Sequence, residues 1–162
     1  MPSSSPLPAS VPDGKAKTER SAFSRQTTVQ TRIYSDSSII WALLTNATDF
    51  SRWNRTVISI TGDIVPDGRI QLKSTLDEKR IFKLHVKEFV SEKRLVWGDS
   101  QGSRVFSLTS DADGSVMFSM SERIGSPLFP LFARFIPSFD ESFEQFASDL
   151  KAEAETIHQT RS

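Results

Sequence analysis

Apolar and polar positions alternate from Thr27 to Ile33, with Thr27, Val29, Thr31 and Ile33 on one side, the period-two signature of a half-buried strand. The period then lengthens. Ile40, Trp41, Leu43 and Leu44 recur at helical spacing behind Ser35, Asp36 and Ser37, each a candidate N-cap, and Thr48 to Trp53 reads as a second short helix. Six further strands are predicted at Val57 to Ile64, Arg69 to Thr75, Arg80 to Val90, Arg94 to Gly98, Arg104 to Ser110 and Val116 to Ile124. Between them lie turn sequences: Pro66-Asp67-Gly68, Ser91-Glu92-Lys93, the Gly98 to Gly102 stretch and Ala112-Asp113-Gly114. Links this short force antiparallel neighbours.

The last segment changes character. Six of the twelve phenylalanines fall between Phe129 and Phe146. Phe135, Phe139, Phe143, Phe146, Leu150 and Ile157 follow the 3.6-residue period of one apolar helix face. Ser126 and Pro127 suit a helix start, and Pro137 inside the pattern predicts a kink or break. Ser138 and Glu141 then have capping-box spacing for a fresh start, which leaves Leu128 to Ile136 free to lie at another angle as a flap.

One hairpin register can be derived outright. Phe106 and Leu108 share a face, as do Val116, Phe118 and Met120, so the two rows lie on one side of the sheet only if opposed residue numbers have an even sum, which demands an odd-length loop. Ala112-Asp113-Gly114 supplies it, with Gly in the left-handed position. Leu108 then faces Phe118, Phe106 faces Met120 and Arg104 faces Glu122. The charged pair, in line with the apolar row, is either a cross-strand ion pair at the sheet's end or a polar anchor projecting into a pocket.

Composition changes the picture in a few places. With 162 residues and 37% hydrophobic content the chain suits one globular domain, read as residues 25–158. Residues 1–24 are rich in Ser and Pro, with Leu7, Val11 and Phe23 as sizeable apolar side chains, and read as a disordered tail. Twenty basic residues balance twenty acidic ones, so no net field draws the protein to nucleic acid or to an anionic membrane, and either contact would need a local patch. Cysteine is absent, consistent with a reducing, cytoplasmic setting. No apolar run reaches the roughly 18 residues of a membrane span.

Candidate chemistry is sparse. His85 and His158 have no carboxylate at ligand spacing, so no metal site is expected. Lys83, His85 and Lys87 alternate with Phe82, Leu84 and Val86 as a solvated sheet face, and no aromatic residues interleave with the charges as nucleic-acid binding would require. Asp111 and Asp113 are explained by turn chemistry, since the Glu that closes a calcium loop is missing. Neither a phosphate loop nor a dinucleotide fingerprint nor a nucleophile elbow occurs, so no cofactor is expected and no catalytic residue is assigned.

The order of elements, with Ile39 to Leu44, the Asp49 to Asn54 segment, Gly68 before Ile70 and Leu72, Phe82 to Phe89 ahead of Leu95-Val96-Trp97, Val116 to Gly125 and Phe143 to Glu153, resembles the START-like or helix-grip superfamily, in particular its polyketide cyclase/dehydrase and lipid-transport branch. Arg55 departs from the proline that many relatives carry after the Trp-Asn pair. The resemblance implies an α+β fold, a curved seven-stranded antiparallel sheet wrapped around a long C-terminal helix with two short helices after the first strand. It also implies a cavity for a hydrophobic or amphipathic small molecule. In that cavity Phe82, Leu84, Phe106, Phe118 and Met120 would form the floor, Phe139, Phe143 and Phe146 the roof, Trp53 and Trp97 the end walls, and Arg104 with Glu122 the anchor. Three functions fit: a non-enzymatic ligand carrier, a cyclase or aromatase, and an interaction module with a solid core.

Overall fold

In the computed structural model, which describes residues 11–161, the alternating segments form eight strands. They are β1 (Ala16–Arg20), β2 (Ser24–Ile33), β3 (Val57–Gly62), β4 (Arg69–Ser74), β5 (Asp77–Val90), β6 (Arg94–Gly98), β7 (Gly102–Ser110) and β8 (Val116–Gly125). The described residues also form four α-helices: α1 (Ser37–Thr45), α2 (Phe50–Trp53), α3 (Phe129–Phe132) and α4 (Asp140–Arg161). A 3₁₀ turn at Ala47–Asp49 leads into α2, and another at Ala133–Phe135 follows α3. No helix among the described residues is long and apolar enough to cross a membrane.

The strands make one antiparallel sheet in the order β1-β2-β8-β7-β6-β5-β4-β3. From β3 to β8 each strand turns back on its predecessor, as the short links require. The excursion through α1 and α2 lets β2 pair with β8 and sets the first long strand beside the last. Register shifts of one residue at Val57/Ser59 and Val86/Glu88 have the form of bulges, which bend a strand and increase its twist, and the β4–β5 pairing is irregular between Leu72 and Ser74. The α+β class and the long C-terminal helix agree with the sequence reading. The strand count, eight instead of seven, does not.

The extra strand is β1, and it corrects the reading of residues 1–24 as a disordered tail. Ala16 lies opposite Val29 and Arg20 opposite Arg25, so this stretch continues the sheet past β2. The forces that order it are remote in sequence. Ala16 N–H donates to Glu144 Oε2 at 3.0 Å, and the Thr18 hydroxyl donates to Asp140 Oδ1, so two carboxylates of α4 hold a strand that has little apolar surface of its own. Val11 is buried as well. Residues 1–10, the remainder of the predicted tail, lie outside the described residues.

Helix α4 covers the sheet with Phe143, Phe146, Ala147, Leu150 and Ala154, all buried, on one stripe. Its N-terminal partner in the stripe is Phe139; Phe135 falls outside it, 69% exposed, because Pro137 ends the helical period, as expected. The predicted capping box takes another form. Ser138 Oγ accepts from Asp140 N–H at 3.3 Å, and the helix's first backbone bond runs from Phe143 N–H to Phe139 O at 2.8 Å. At α1, Asp36 occupies the N-cap without a side-chain bond.

Along the middle of α4, the turn after α2 is locked to the helix. Asp149 is buried and accepts from Arg55 N–H at 2.8 Å, from Arg55 Nη2 at 2.9 Å and from Gln145 Nε2 at 2.8 Å. Asn54 Oδ1 accepts from Thr56 N–H and Oγ1 at 3.1 and 2.7 Å, and its amide reaches Phe146 O at 3.4 Å. The departure at Arg55 thus has a physical role: a proline there has no N–H to give Asp149.

Candidate functional site

The site begins with the β7–β8 hairpin, whose register is the one derived from sequence parity: Leu108 opposite Phe118, Phe106 opposite Met120, Arg104 opposite Glu122. Gly114 closes the three-residue loop at φ +87°, in the left-handed region that a Cβ disfavours. Along this row, Phe106, Leu108, Phe118 and Met120 are all buried. Phe106 and Phe118 meet Phe146 of α4 at ring-centroid distances of 5.8 and 6.3 Å, and Trp97 meets Phe106 at 4.7 Å. Trp53 lies 6.1 Å from Phe146 and 4.7 Å from Phe50, its indole N–H buried without a hydrogen-bond partner among the described residues. Aromatic contacts at these distances fill the centre of the molecule.

Toward the N-terminus of α4 the packing opens into a cavity of about 380 Å³. One side is formed by Leu72 and Ser74 of β4 and by Phe82 and Leu84 of β5; Trp97, Arg104, Glu122 and Ile124 continue it across the sheet. The link between α3 and α4 closes the other side with Phe135, Ile136, Pro137 and Phe139. The β6–β7 turn forms an end, where Gly98 approaches Gly102 so tightly that a Cβ would sit 2.2 Å from the Gly102 carbonyl oxygen. A broader groove of about 700 Å³ runs over the outer surface past Phe23, Lys87 and Arg123, and it is far more open than the space under the helix.

Of the twelve residues expected around a ligand, Phe82, Leu84, Trp97, Arg104, Glu122 and Phe139 line this cavity. The other six do not. Phe106, Phe118, Met120, Phe143 and Phe146 lie in the closed core, each at most 1% exposed, and Trp53 packs beside them. The expected floor and roof therefore meet in the middle and separate at one end. Sequence reasoning missed Leu72, Ser74 and Ile124, although each continues an alternation already read; it also missed Leu76, Asp77 and Arg80, and it read Gly98 to Gly102 as a turn without placing that turn at the site.

Five charged residues line the cavity: Asp77 and Arg80 are exposed and Asp99 sits in the β6–β7 turn, while Arg104 and Glu122 pair on the inner wall, with Nε to Oε1 at 3.0 Å and side chains 11% and 20% exposed. The guanidinium also lies over the Phe143 ring, 4.9 Å from its centroid. Of its nitrogens only Nε has a hydrogen-bond partner among the described residues. The terminal amino groups remain as donors beside an apolar space, which suits an acceptor oxygen on a bound molecule.

A second arginine fixes the closing link. Arg25 of β2 is buried and donates from Nη1 to Ile136 O at 3.2 Å and from Nη2 to Pro137 O at 2.8 Å, while its guanidinium lies 4.7 Å from the centroid of Phe139. Burial is the chief influence pulling its pKa below arginine's usual value, the nearby Arg20 acts in the same direction, and Asp140 and Glu122 oppose them. The residue stays cationic all the same. Among the described residues no group of three or more potential metal ligands converges.

No known protein family matches the chain by sequence, and no curated protein does either. Solved structures do match in shape. A START superfamily protein from Mycobacterium smegmatis superposes with a TM-score of 0.60 at 13% identity, over 82% of this chain and 98% of that one. The conserved protein of unknown function EF2215 from Enterococcus faecalis gives 0.65 at 16% identity, over 88% and 78%. CalU16 from Micromonospora echinospora gives 0.54 at 13% identity, over 90% and 92%. At such identities the likeness concerns architecture, and with one antiparallel sheet packed on a long C-terminal helix the chain has the START-like, helix-grip fold.

Proposed function

We propose that this protein binds a hydrophobic or amphipathic small molecule that has an apolar body and an acceptor oxygen at one end, and that it does so without chemical turnover. The cavity beneath the α3–α4 link carries this reading: at about 380 Å³ it falls in the size range of small-molecule sites, roughly 300–1,000 Å³. Apolar side chains make up the larger part of its walls, and of the two arginines on them Arg80 is exposed whereas Arg104 is buried, where its guanidinium can orient a carboxylate or carbonyl. The START-like fold of the Mycobacterium smegmatis neighbour supports the same reading by analogy of architecture. The cavity also counts against a solid-core interaction module, in which the helix and sheet would close throughout.

Because Glu122 lines the cavity, a cyclase-type reaction is the second reading, with this carboxylate handling protons. Turnover of a polyketide-like substrate that disappears in Glu122→Gln would favour it. The binding reading is tested by titrating a dansyl-labelled fatty acid into the wild type and into Arg104→Ala. Saturable enhancement that weakens in the variant is expected, whereas no uptake by the wild type rejects the proposal.

A further inference from the structure

The sequence carries no net charge, so attraction to a membrane would have to come from a local patch, and one exists beside the cavity. Leu128, Leu131, Phe132 and Phe135 are 57%, 66%, 51% and 69% exposed, while Phe129 alone in this stretch turns inward and anchors it. Phe23, on the β1–β2 turn, is 59% exposed and adjoins the start of the stretch, its carbonyl accepting from Ser126 N–H at 3.2 Å. Half of the ten large apolar side chains exposed among the described residues thus lie at one end of the molecule. Contiguous exposure of this kind marks a contact surface.

Charge decides what the contact is with. Residues 20–25 and 123–139 contain four arginines and no carboxylate. Arg25 is buried in the clamp on the link, but Arg20, Arg123 and Arg134 are exposed around the apolar side chains. The nearest acid on the adjoining turn, Asp99, is occupied within its own loop, accepting from the Gln101 and Gly102 N–H groups at 2.8 and 3.1 Å. From Leu128 to Ile136 the one polar side chain is Arg134, so the stretch lacks the hydrogen-bonding rim of a specific protein interface. The exposed acids next in sequence, Glu19 and Glu141, lie at the margin of the patch, so a symmetric second copy would bring its arginines against one another. Apolar side chains ringed by cations suit insertion at an anionic headgroup boundary.

We propose that the Ser126–Phe135 segment, with Phe23 beside it, docks on an anionic lipid bilayer and so presents the cavity to the membrane surface. The same link supplies Phe135, Ile136 and Pro137 to the cavity wall. The docking rests on exposed side chains and stands whether or not the cavity proves to hold a ligand.

The test is flotation of the full chain with vesicles of phosphatidylcholine alone and with a minority of phosphatidylglycerol. The wild type should float with the anionic vesicles, and the double variant Leu131→Asp, Phe132→Asp should lose about tenfold or more of that binding. Arg134→Glu should weaken binding to the anionic vesicles alone. In Phe132→Trp, added vesicles should shift emission to the blue against the buried Trp41, Trp53 and Trp97. Equal flotation of wild type and double variant overturns the proposal, as does absence of both flotation and blue shift. A homodimer that dissociates in the double variant, without vesicle binding, also overturns it and assigns the patch to a second copy.

Discussion

Arg25, in the second strand, holds the carbonyl oxygen of Pro137 at 2.8 Å across 112 positions of sequence, and the break ahead of the C-terminal helix is thereby tied to the sheet. Pro137 makes the break, and Arg25 fixes where the broken segment lies. Replacing Arg25 by Met keeps most of the stem but deletes two charge-assisted bonds, at a cost of about 2 kcal/mol. Hydrogen exchange should then accelerate at the amides of residues 131–139 while the middle of α4 stays protected. Uniform acceleration along α4 would show that Arg25 supports the whole helix and not the link.

Arg104 and Glu122 face the same cavity but should respond differently to truncation. Arg104→Ala removes the donors proposed to meet the ligand and should weaken binding of a dansyl-labelled fatty acid by about tenfold, near the value of one charge-assisted bond. Glu122→Ala frees the arginine and should affect a carboxylate-tipped probe less than an uncharged one. Unchanged affinity in both variants would remove the pair from the site.

Asp149 is buried on α4 and held by Arg55 and Gln145. Asp149→Ala should cost about 2 kcal/mol and lower the melting temperature by about 4–8 °C, because the Arg55 N–H loses its acceptor. Arg55→Pro should also destabilise, through loss of the same N–H, whereas Arg55→Ala should retain part of the contact. A melting temperature for Arg55→Pro equal to that of Arg55→Ala would show that the backbone bond contributes nothing.

Acid should loosen the β7–β8 turn. Asp113 accepts from Ser115 Oγ at 2.6 Å and from Ser115 N–H at 3.0 Å, and these bonds hold its pKa below the usual carboxylate value. A carboxylate depressed in the folded state stabilises above its unfolded pKa, about 4, and that contribution is lost as the pH falls through the folded value. Asp113→Asn should therefore narrow the difference between melting temperatures at neutral and acid pH. NMR titration of the Asp113 carboxyl should give a midpoint below that of an unstructured peptide; a midpoint at or above it contradicts the argument.

The hairpin was legible to the residue, because an alternating face and an odd loop leave a single parity and Gly114 fits the loop. The first strand was not legible. Its ladder partner is β2, but Asp140 and Glu144, which accept from the Thr18 hydroxyl and the Ala16 N–H, are far away in sequence. The cavity was half legible for a related reason. Alternation places Phe106 and Phe118 on the inner face but does not say that Phe146 will meet them, which depends on how closely helix and sheet approach at each level. Phe135 leaves the stripe because the helical period does not extend across Pro137, where the backbone ceases to be helical.

The most direct test of the binding site is non-denaturing mass spectrometry of the purified full chain, wild type beside Leu84→Trp, which fills the cavity from its half-buried β5 wall. The wild type should carry a reproducible non-covalent mass increment that organic solvent extracts, and Leu84→Trp, with an unchanged circular dichroism spectrum, should carry none. Identical spectra from the two proteins, both empty or both loaded, would contradict a ligand site between the sheet and the α3–α4 link.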